Sequence, residues 1–212
     1  MAPLISVLLT TIRPHLVKRA LDSIRPAAAG LPYEVVVVAD FAPPDGVLQP
    51  PVSWSMRDRR GVVDAVNTAG QAALGEYWFI FNDESTLEPG ALGLLYEAAV
   101  DEPDALLTPE HVPAFPFFYY GLPFAPFPFA HRSVFTQLGG LLDPIYRSFY
   151  ADPDLSLRAH AQGRAVRTVH GAVIRHANYH DQPHADSVSA YLAADRAAFA
   201  ARWAHLGELV DP

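Results

Sequence analysis

An acidic pair, Asp83-Glu84, follows almost directly on four bulky apolar residues, Trp78 to Phe81, in the stretch EYWFIFNDES. An apolar run of that kind predicts a buried strand. Two other runs of the same kind also end in polar groups. LISVLLT, Leu4 to Thr10, runs into Thr10-Thr11, and YEVVVVAD, Tyr33 to Asp40, ends at Asp40. If these strands are parallel members of one α/β sheet, their three ends share one edge, the edge where such sheets bind ligands. Carboxylates placed there hold a diphosphate only through a divalent cation, and hard oxygen ligands suit Mg²⁺ or Mn²⁺. The plainer alternative for Asp83-Glu84 is a solvated turn ahead of a helix.

The elements between these ends support a parallel sheet. RPHLVKRALDSI carries Leu16, Val17, Ala20, Leu21 and Ile24 at helical spacing, with Pro14 suited to an early helical position. GVVDAVNTAGQAAL places Val62, Ala65, Val66 and Ala69 on one helical face, and EPGALGLLYEAAV predicts the next helix. Strand and helix alternate, so the expected fold class is α/β, with a mostly parallel central sheet and helices on both faces. The second half is different. PAFPFFYYGLPFAPFPF, Pro113 to Phe129, is dense in proline and aromatics, and proline interrupts long strands and helices. DPDLSLRAHAQG predicts a helix from about Pro153 closed by Gly163, with Asp152 placed to cap it. RAVRTVHGAVIRHA predicts two short strands about Gly171, and HADSVSAYLAADRAAFAARWAHLG a long terminal helix. Without a linker or internal repeat, residues 1–212 are expected to form one domain.

Composition narrows the chemistry. The 212 residues suffice for one sizeable core. The formal net charge of −8 argues against nucleic acid as a partner, which would need a basic face. No apolar run approaches the roughly 20 residues of a membrane span, and the N-terminus predicts a first strand, not a signal peptide. Cysteine is absent, which fits a cytoplasmic setting and removes thiolate chemistry. Neither G-x-x-x-x-G-K-[ST], G-x-G-x-x-G nor G-x-S-x-G occurs at a suitable position. His170, His176, His180 and His184 form a loose cluster that matches no compact zinc spacing. Arg57, Arg59 and Arg60 read as a solvated loop, or as a basic group that meets a diphosphate if the crevice is near. The aromatics of Pro113–Phe129 suit either core and turn or a wall for a sugar ring or apolar acceptor.

Taken in order, several segments resemble glycosyltransferase family 2, whose fold is GT-A. ISVLLTTIRPHLVKRALDSI resembles its opening strand and helix. YEVVVVAD resembles its second strand, and GVVDAVNTAGQAALGEYWFIFNDESTLEPGAL its glycine, Ala-x-Asn-x-x-Gly and Asp-x-Asp-type segment. FAHRSVFTQLGGLLDPIYRSFYADPDLSLRAHAQG resembles the acceptor half, VIRHAN a late histidine-bearing strand, and FAARW a terminal helix motif. The resemblance implies a single GT-A-like domain, with residues 1–108 binding nucleotide and 109–212 binding acceptor. It implies metal-dependent, inverting sugar transfer from a nucleotide-sugar donor, UDP-linked, to a hydroxyl of a glycan, lipid-linked, small-molecule or protein acceptor. Thr10 and Thr11 would border the nucleotide, Asp40 would accept a hydrogen bond from the base, and Asp83 would contact the ribose or a metal-bound water. Glu84 and His176 would be metal ligands, and Asp152 the general base. Ala39, Asn82, Glu84 and Ala151 stand where the family often has acidic residues, aspartate at the first three and glutamate at the fourth, and Ile12 where it often has an aromatic. A degenerate member that binds without transfer, and a nucleotidyltransferase, are the competing expectations. The latter usually has a glycine-rich first loop, which LTTIRPHLVKR lacks. The short chain leaves a homo-oligomer open as the way to complete the acceptor site.

Overall fold

The computed structural model describes residues 2–114, 117–177 and 181–209. His180, Asn178 and the Phe115-Pro116 portion of the proline-aromatic segment lie outside the described residues. Ten strands are described: β1 Ile5–Thr11, β2 Tyr33–Ala39, β3 Val52–Met56, β4 Tyr77–Asn82, β5 Ser85–Leu87, β6 Leu106–Val112, β7 Phe118–Tyr119, β8 Leu122–Pro123, β9 Phe129–His131 and β10 Val166–His176. The helices are α1 Pro14–Ala27, α2 Val62–Ala72, α3 Ala91–Asp101, α4 Arg132–Gln137, α5 Ala151–Ala161, α6 Gln182–Ser187 and α7 Ala193–Trp203. A π-helical turn, Val188–Leu192, joins α6 to α7, so the expected terminal helix is one rod with an irregular middle.

Eight strands form one sheet in the order β3-β2-β1-β4-β9-β6-β10-β5. β1 to β4 are mutually parallel, β9 runs antiparallel between β4 and β6, and β10 is parallel to β6. The period of two divides each strand between two cores. Val7, Leu9, Val37, Phe79 and Phe81 face α1 and α3, which bury Val17, Ile24, Leu92 and Leu95. Leu8, Val36, Val38 and Ile80 face α2, α5 and α7, with Val66, Leu155, Phe199 and Trp203. Buried faces on both sides explain why the strands read as continuous apolar runs.

Two expectations change in detail. Val166–His176 is one strand, not two. Its register against β6 shifts between Val169 and Val173, and Gly171 takes the positive φ of 83° that the bulge needs. The helix expected from Pro153 begins at Ala151, and its cap position is Tyr150, at φ 60°. Asp152 therefore lies in the first turn and does not cap it. Its carboxylate still sits at the positive end of the helix dipole.

The Ala-x-Asn-x-x-Gly segment on α2 is a docking face for the second half of the chain. Asn67 donates to the carbonyl of Leu142 at 2.8 Å and accepts from its N–H at 3.1 Å. A Cβ on Gly70 would stand 2.2 Å from Leu141 Cδ1, and one on Gly61 would stand 2.2 Å from the carbonyl oxygen of Arg147. Gly61 also has φ 99°, so the close approach and the backbone shape both require glycine there.

Candidate active site

The carboxyl ends of β1, β2 and β4 open into one cleft. Its first chamber is lined by Thr10, Thr11, Asp40, Asp83 and Glu84, together with Arg57, Arg59, Arg60 and Gly61. A second chamber shares Thr10, Asn82 and Glu84 with the first and adds Phe127, Asp152 and His176. All seven residues singled out from the sequence thus line one continuous cleft. A third opening, toward His111, Pro113 and Phe117, again contains Asp152 and His176. Ser148 and Ser187, from the second half of the chain, border the first chamber.

Asp83 and Glu84 have different surroundings. Asp83 is buried, and its Oδ2 accepts from the Thr11 hydroxyl at 2.7 Å and the Ile12 N–H at 3.3 Å. Burial pushes its carboxyl above the ordinary range, while Thr11 and Arg13 pull it back. Glu84 is partly exposed toward the cleft. Its Oε2 lies 3.3 Å from His176 Nε2 and its Oε1 2.7 Å from Arg13 Nη1. The His176 ring is held edge-on by Phe127 and His111, at centroid distances of 5.5 and 5.3 Å. Asp40 is exposed at the rim of the first chamber.

The donor set suits a divalent ion only in part. Glu84 Oε2 and His176 Nε2 are spaced as two neighbouring ligands of an octahedral ion are, about 3 Å apart. No set of three or more histidine or acidic side chains poised for a metal is found among the described residues. Two protein ligands with substrate phosphates and waters completing the shell is the ordinary arrangement for Mg²⁺-type ions. Glu84 and His176 are therefore the groups that fit.

Three residues that shape the cleft or its supporting loop were not singled out from the sequence patterns. Arg13, buried, bridges Asp83, Glu84 and Asp181. Asp181 caps α6 and accepts from Arg13 Nε at 2.6 Å and Nη2 at 2.9 Å. That bond, helped by the His184 N–H, holds the Asp181 carboxyl well below the usual range against the opposing effect of burial. Asp195, also buried, accepts from the consecutive backbone N–H groups of Arg147, Ser148 and Phe149 at 2.8–2.9 Å. It anchors from α7 the loop that leads into Asp152. Its signal was legible: Asp195 lies on the apolar stripe of Leu192, Phe199 and Trp203, where a carboxylate needs buried donors. Asp195→Ala should orphan three N–H groups and cost about 2–4 kcal/mol in urea unfolding, since each unsatisfied buried donor costs about 1 kcal/mol or more. A loss under 0.5 kcal/mol would show that water replaces the carboxylate.

Asp152 is mostly shielded from water at the junction of the second and third chambers. Loss of solvation pushes its carboxyl up to about 7, only weakly opposed by a backbone hydrogen bond. A carboxylate with a pKa near neutrality is matched to proton transfer.

The curled, mostly parallel sheet with an acidic strand end at the mouth of its cleft is a GT-A-like fold. Among solved structures, the chain is similar to the mannosyltransferase PcManGT from Pyrobaculum calidifontis, in complex with GDP-Man and Mn²⁺. The TM-score is 0.71 at 20% identity, over 99% of this chain and 66% of that one. It is also similar to S. aureus TarS, with TM-score 0.63 and 16% identity over 81% of this chain and 36% of that one. GalNAc-T7 with UDP, GalNAc and Mn²⁺ gives TM-score 0.63 and 13% identity over 82% of this chain and 44% of that one. The chain thus spans two thirds or less of each of these proteins. No family model and no curated protein matches the sequence. No helix among the described residues is long and apolar enough to cross a membrane.

Proposed function

We propose that this protein is a glycosyltransferase that moves a sugar from a nucleotide-sugar donor to an acceptor hydroxyl with inversion, in the cytoplasm. The observation that carries this reading is the placement of Asp152. It lines the same chamber as Glu84 and His176 at the strand ends. The two halves, 1–108 and 109–212, supply the donor and acceptor sides. Asp40, at the rim, accepts the N3–H of a uracil, so the donor is UDP-linked. Thr10 and Thr11 border the nucleoside, and Asp83 orders the floor beneath the ribose through Thr11, Ile12 and Arg13. Glu84 and His176 hold Mn²⁺ or Mg²⁺, which when bound neutralises charge on the diphosphate. The support for a cation is a charge count. Arg13 offsets one of its three carboxylate partners, Asp83, Glu84 and Asp181, so that cluster stays net negative, although Arg57, Arg59 and Arg60 also line the chamber. Solved structures of similar fold were obtained with nucleotide sugar or nucleotide and Mn²⁺.

Asp152 takes the proton of the acceptor hydroxyl as its oxygen attacks the anomeric carbon opposite the departing diphosphate. A single displacement of this kind inverts the centre. The acceptor enters beside Phe117, Phe127 and His111, where it meets aromatic edges and no lysine or arginine among the described lining residues.

Titration of the protein with UDP, by calorimetry, tests the donor site. Binding in Mn²⁺ should be at least about tenfold tighter than in EDTA. Glu84→Gln should remove most of that difference while leaving the melting temperature within about 3 °C, because Arg13 keeps Asp83 and Asp181 as partners. Equal affinity in EDTA and Mn²⁺ would end the metal assignment.

A further inference from the structure

Among the described residues, Arg13 is the buried arginine of the cleft. It leaves the chain between the end of β1 and Pro14, the first residue of α1, and is only 5% exposed. Its Nη1 lies 2.7 Å from Glu84 Oε1 and 3.3 Å from Asp83 Oδ1, so one nitrogen serves one oxygen of each carboxylate. Its Nε and Nη2 form a two-pronged pair with Asp181. That pairing fixes the plane of the fork and leaves the guanidinium little freedom to swing away. The remaining oxygen of Asp83 is taken up by Thr11 and Ile12. Of the Asp83 and Glu84 oxygens, Glu84 Oε2 is the one directed at His176, 3.3 Å from its Nε2.

We infer that Arg13 is an internal cation that withholds Asp83 and one oxygen of Glu84 from the metal, so that the free protein binds a divalent ion weakly and the ion is retained only together with the donor's diphosphate. The physical basis is direct. Both carboxylates that flank Nη1 would otherwise be strong hard-oxygen ligands, and a divalent ion beside a buried guanidinium meets like-charge repulsion in a medium that screens poorly. A diphosphate supplies the missing oxygens and the compensating negative charge. The consequence is coupling between ion and donor, reciprocal as all such linkage is. Metal tightens the nucleotide, and nucleotide tightens the metal by the same factor. The inference rests on Glu84 being a cation ligand, as proposed above, but its test needs neither sugar transfer nor an acceptor.

The test is a Mn²⁺ titration of the full chain, read by the loss of free-ion electron paramagnetic resonance signal. Wild-type protein should bind Mn²⁺ at least about tenfold more tightly in the presence of UDP than in its absence. Arg13→Gln should bind Mn²⁺ without nucleotide at least about tenfold more tightly than wild type, because it releases Asp83 and Glu84 together. The double variant Arg13→Gln/Glu84→Gln should lose that gain, which locates the ion. If Arg13→Gln folds poorly because three carboxylates are left facing one another, Mn²⁺ should raise its melting temperature by more than it raises that of wild type. Arg13→Lys gives a second reading. An ammonium cannot span Asp83, Glu84 and Asp181 at once, so metal binding without nucleotide should tighten by about threefold. Metal affinity unchanged by UDP in wild type, or unchanged in both Arg13 variants, overturns the inference. If the Arg13 variants gain Mn²⁺ affinity and sugar transfer is never detected, the inference stands and the proposed reaction fails.

Discussion

Asp152→Asn is expected to reduce sugar transfer by two to four orders of magnitude, the usual worth of a general base. UDP affinity should persist, because the lining residues of the first chamber do not include Asp152. Wild-type transfer should rise as pH climbs through about 7, where the carboxyl gives up its proton. Stability should move the other way. The folded-state pKa lies above the ordinary 3.8, so the native protein favours the protonated acid. That contribution is fully present below about pH 4 and is lost as pH rises through 7. Asp152→Asn removes the pH-dependent loss. It should match wild type in urea unfolding at pH 4 and exceed it at pH 9 by on the order of 2 kcal/mol. A variant that is more stable at high pH and inactive in transfer identifies a base held at a cost in stability. Normal turnover in Asp152→Asn would remove the base assignment. Unchanged UDP binding with no transfer in wild type itself would favour a protein that binds nucleotide sugar without reacting it.

The second large effect belongs to Asp154, two residues along and wholly buried. It accepts from the Tyr146 hydroxyl at 3.1 Å, Trp203 Nε1 at 3.0 Å, Arg158 Nε at 2.9 Å and Arg202 Nη1 at 3.2 Å. Arg158 carries the network further, to the carbonyls of Leu138, Gly140 and Leu141, and Arg202 carries it to Asp143. One carboxylate therefore joins α5, the loop after α4, and the end of α7. Asp154→Ala should cost about 3–5 kcal/mol in urea unfolding, because it strands cationic and polar donors away from water. Asp154→Asn keeps an acceptor and should lose about half of that. Transfer by Asp154→Ala, assayed well below its melting temperature, should fall less than in Asp152→Asn. Asp154 holds the helix that carries Asp152 and does not line the chambers around it. A destabilisation below 1 kcal/mol would mean that the arginines find new partners.

Much of this molecule is written locally. Alternating apolar runs and helical stripes in the first half specify β1, α1, β2, α2, β4 and α3 closely, because each segment buries a continuous face and its period is set by the backbone. The parallel arrangement then forces Thr10-Thr11, Asp40 and Asp83-Glu84 to one edge. For this reason the crevice was legible from three strand ends. The second half resisted. β6 and β9 were missed, although β9 lies between β4 and β6, because Phe129–His131 is only three residues long and owes its conformation to neighbours on both sides. The bulge at Gly171 looked like a break for the same reason: a register shift exists only relative to a partner strand.

The site divides along the same line. The sequence by itself determined that carboxylates cluster at the mouth of an α/β sheet, since residue type and strand polarity suffice for that. Only the tertiary structure decided what each carboxylate does. Asp83 is spent on Thr11, Ile12 and Arg13, Glu84 is shared between Arg13 and His176, and Asp195 faces three backbone N–H groups from 46 to 48 positions away. A side chain's charge state and partners depend on water exclusion and on groups brought together across the fold. Neither is a property of neighbours along the chain.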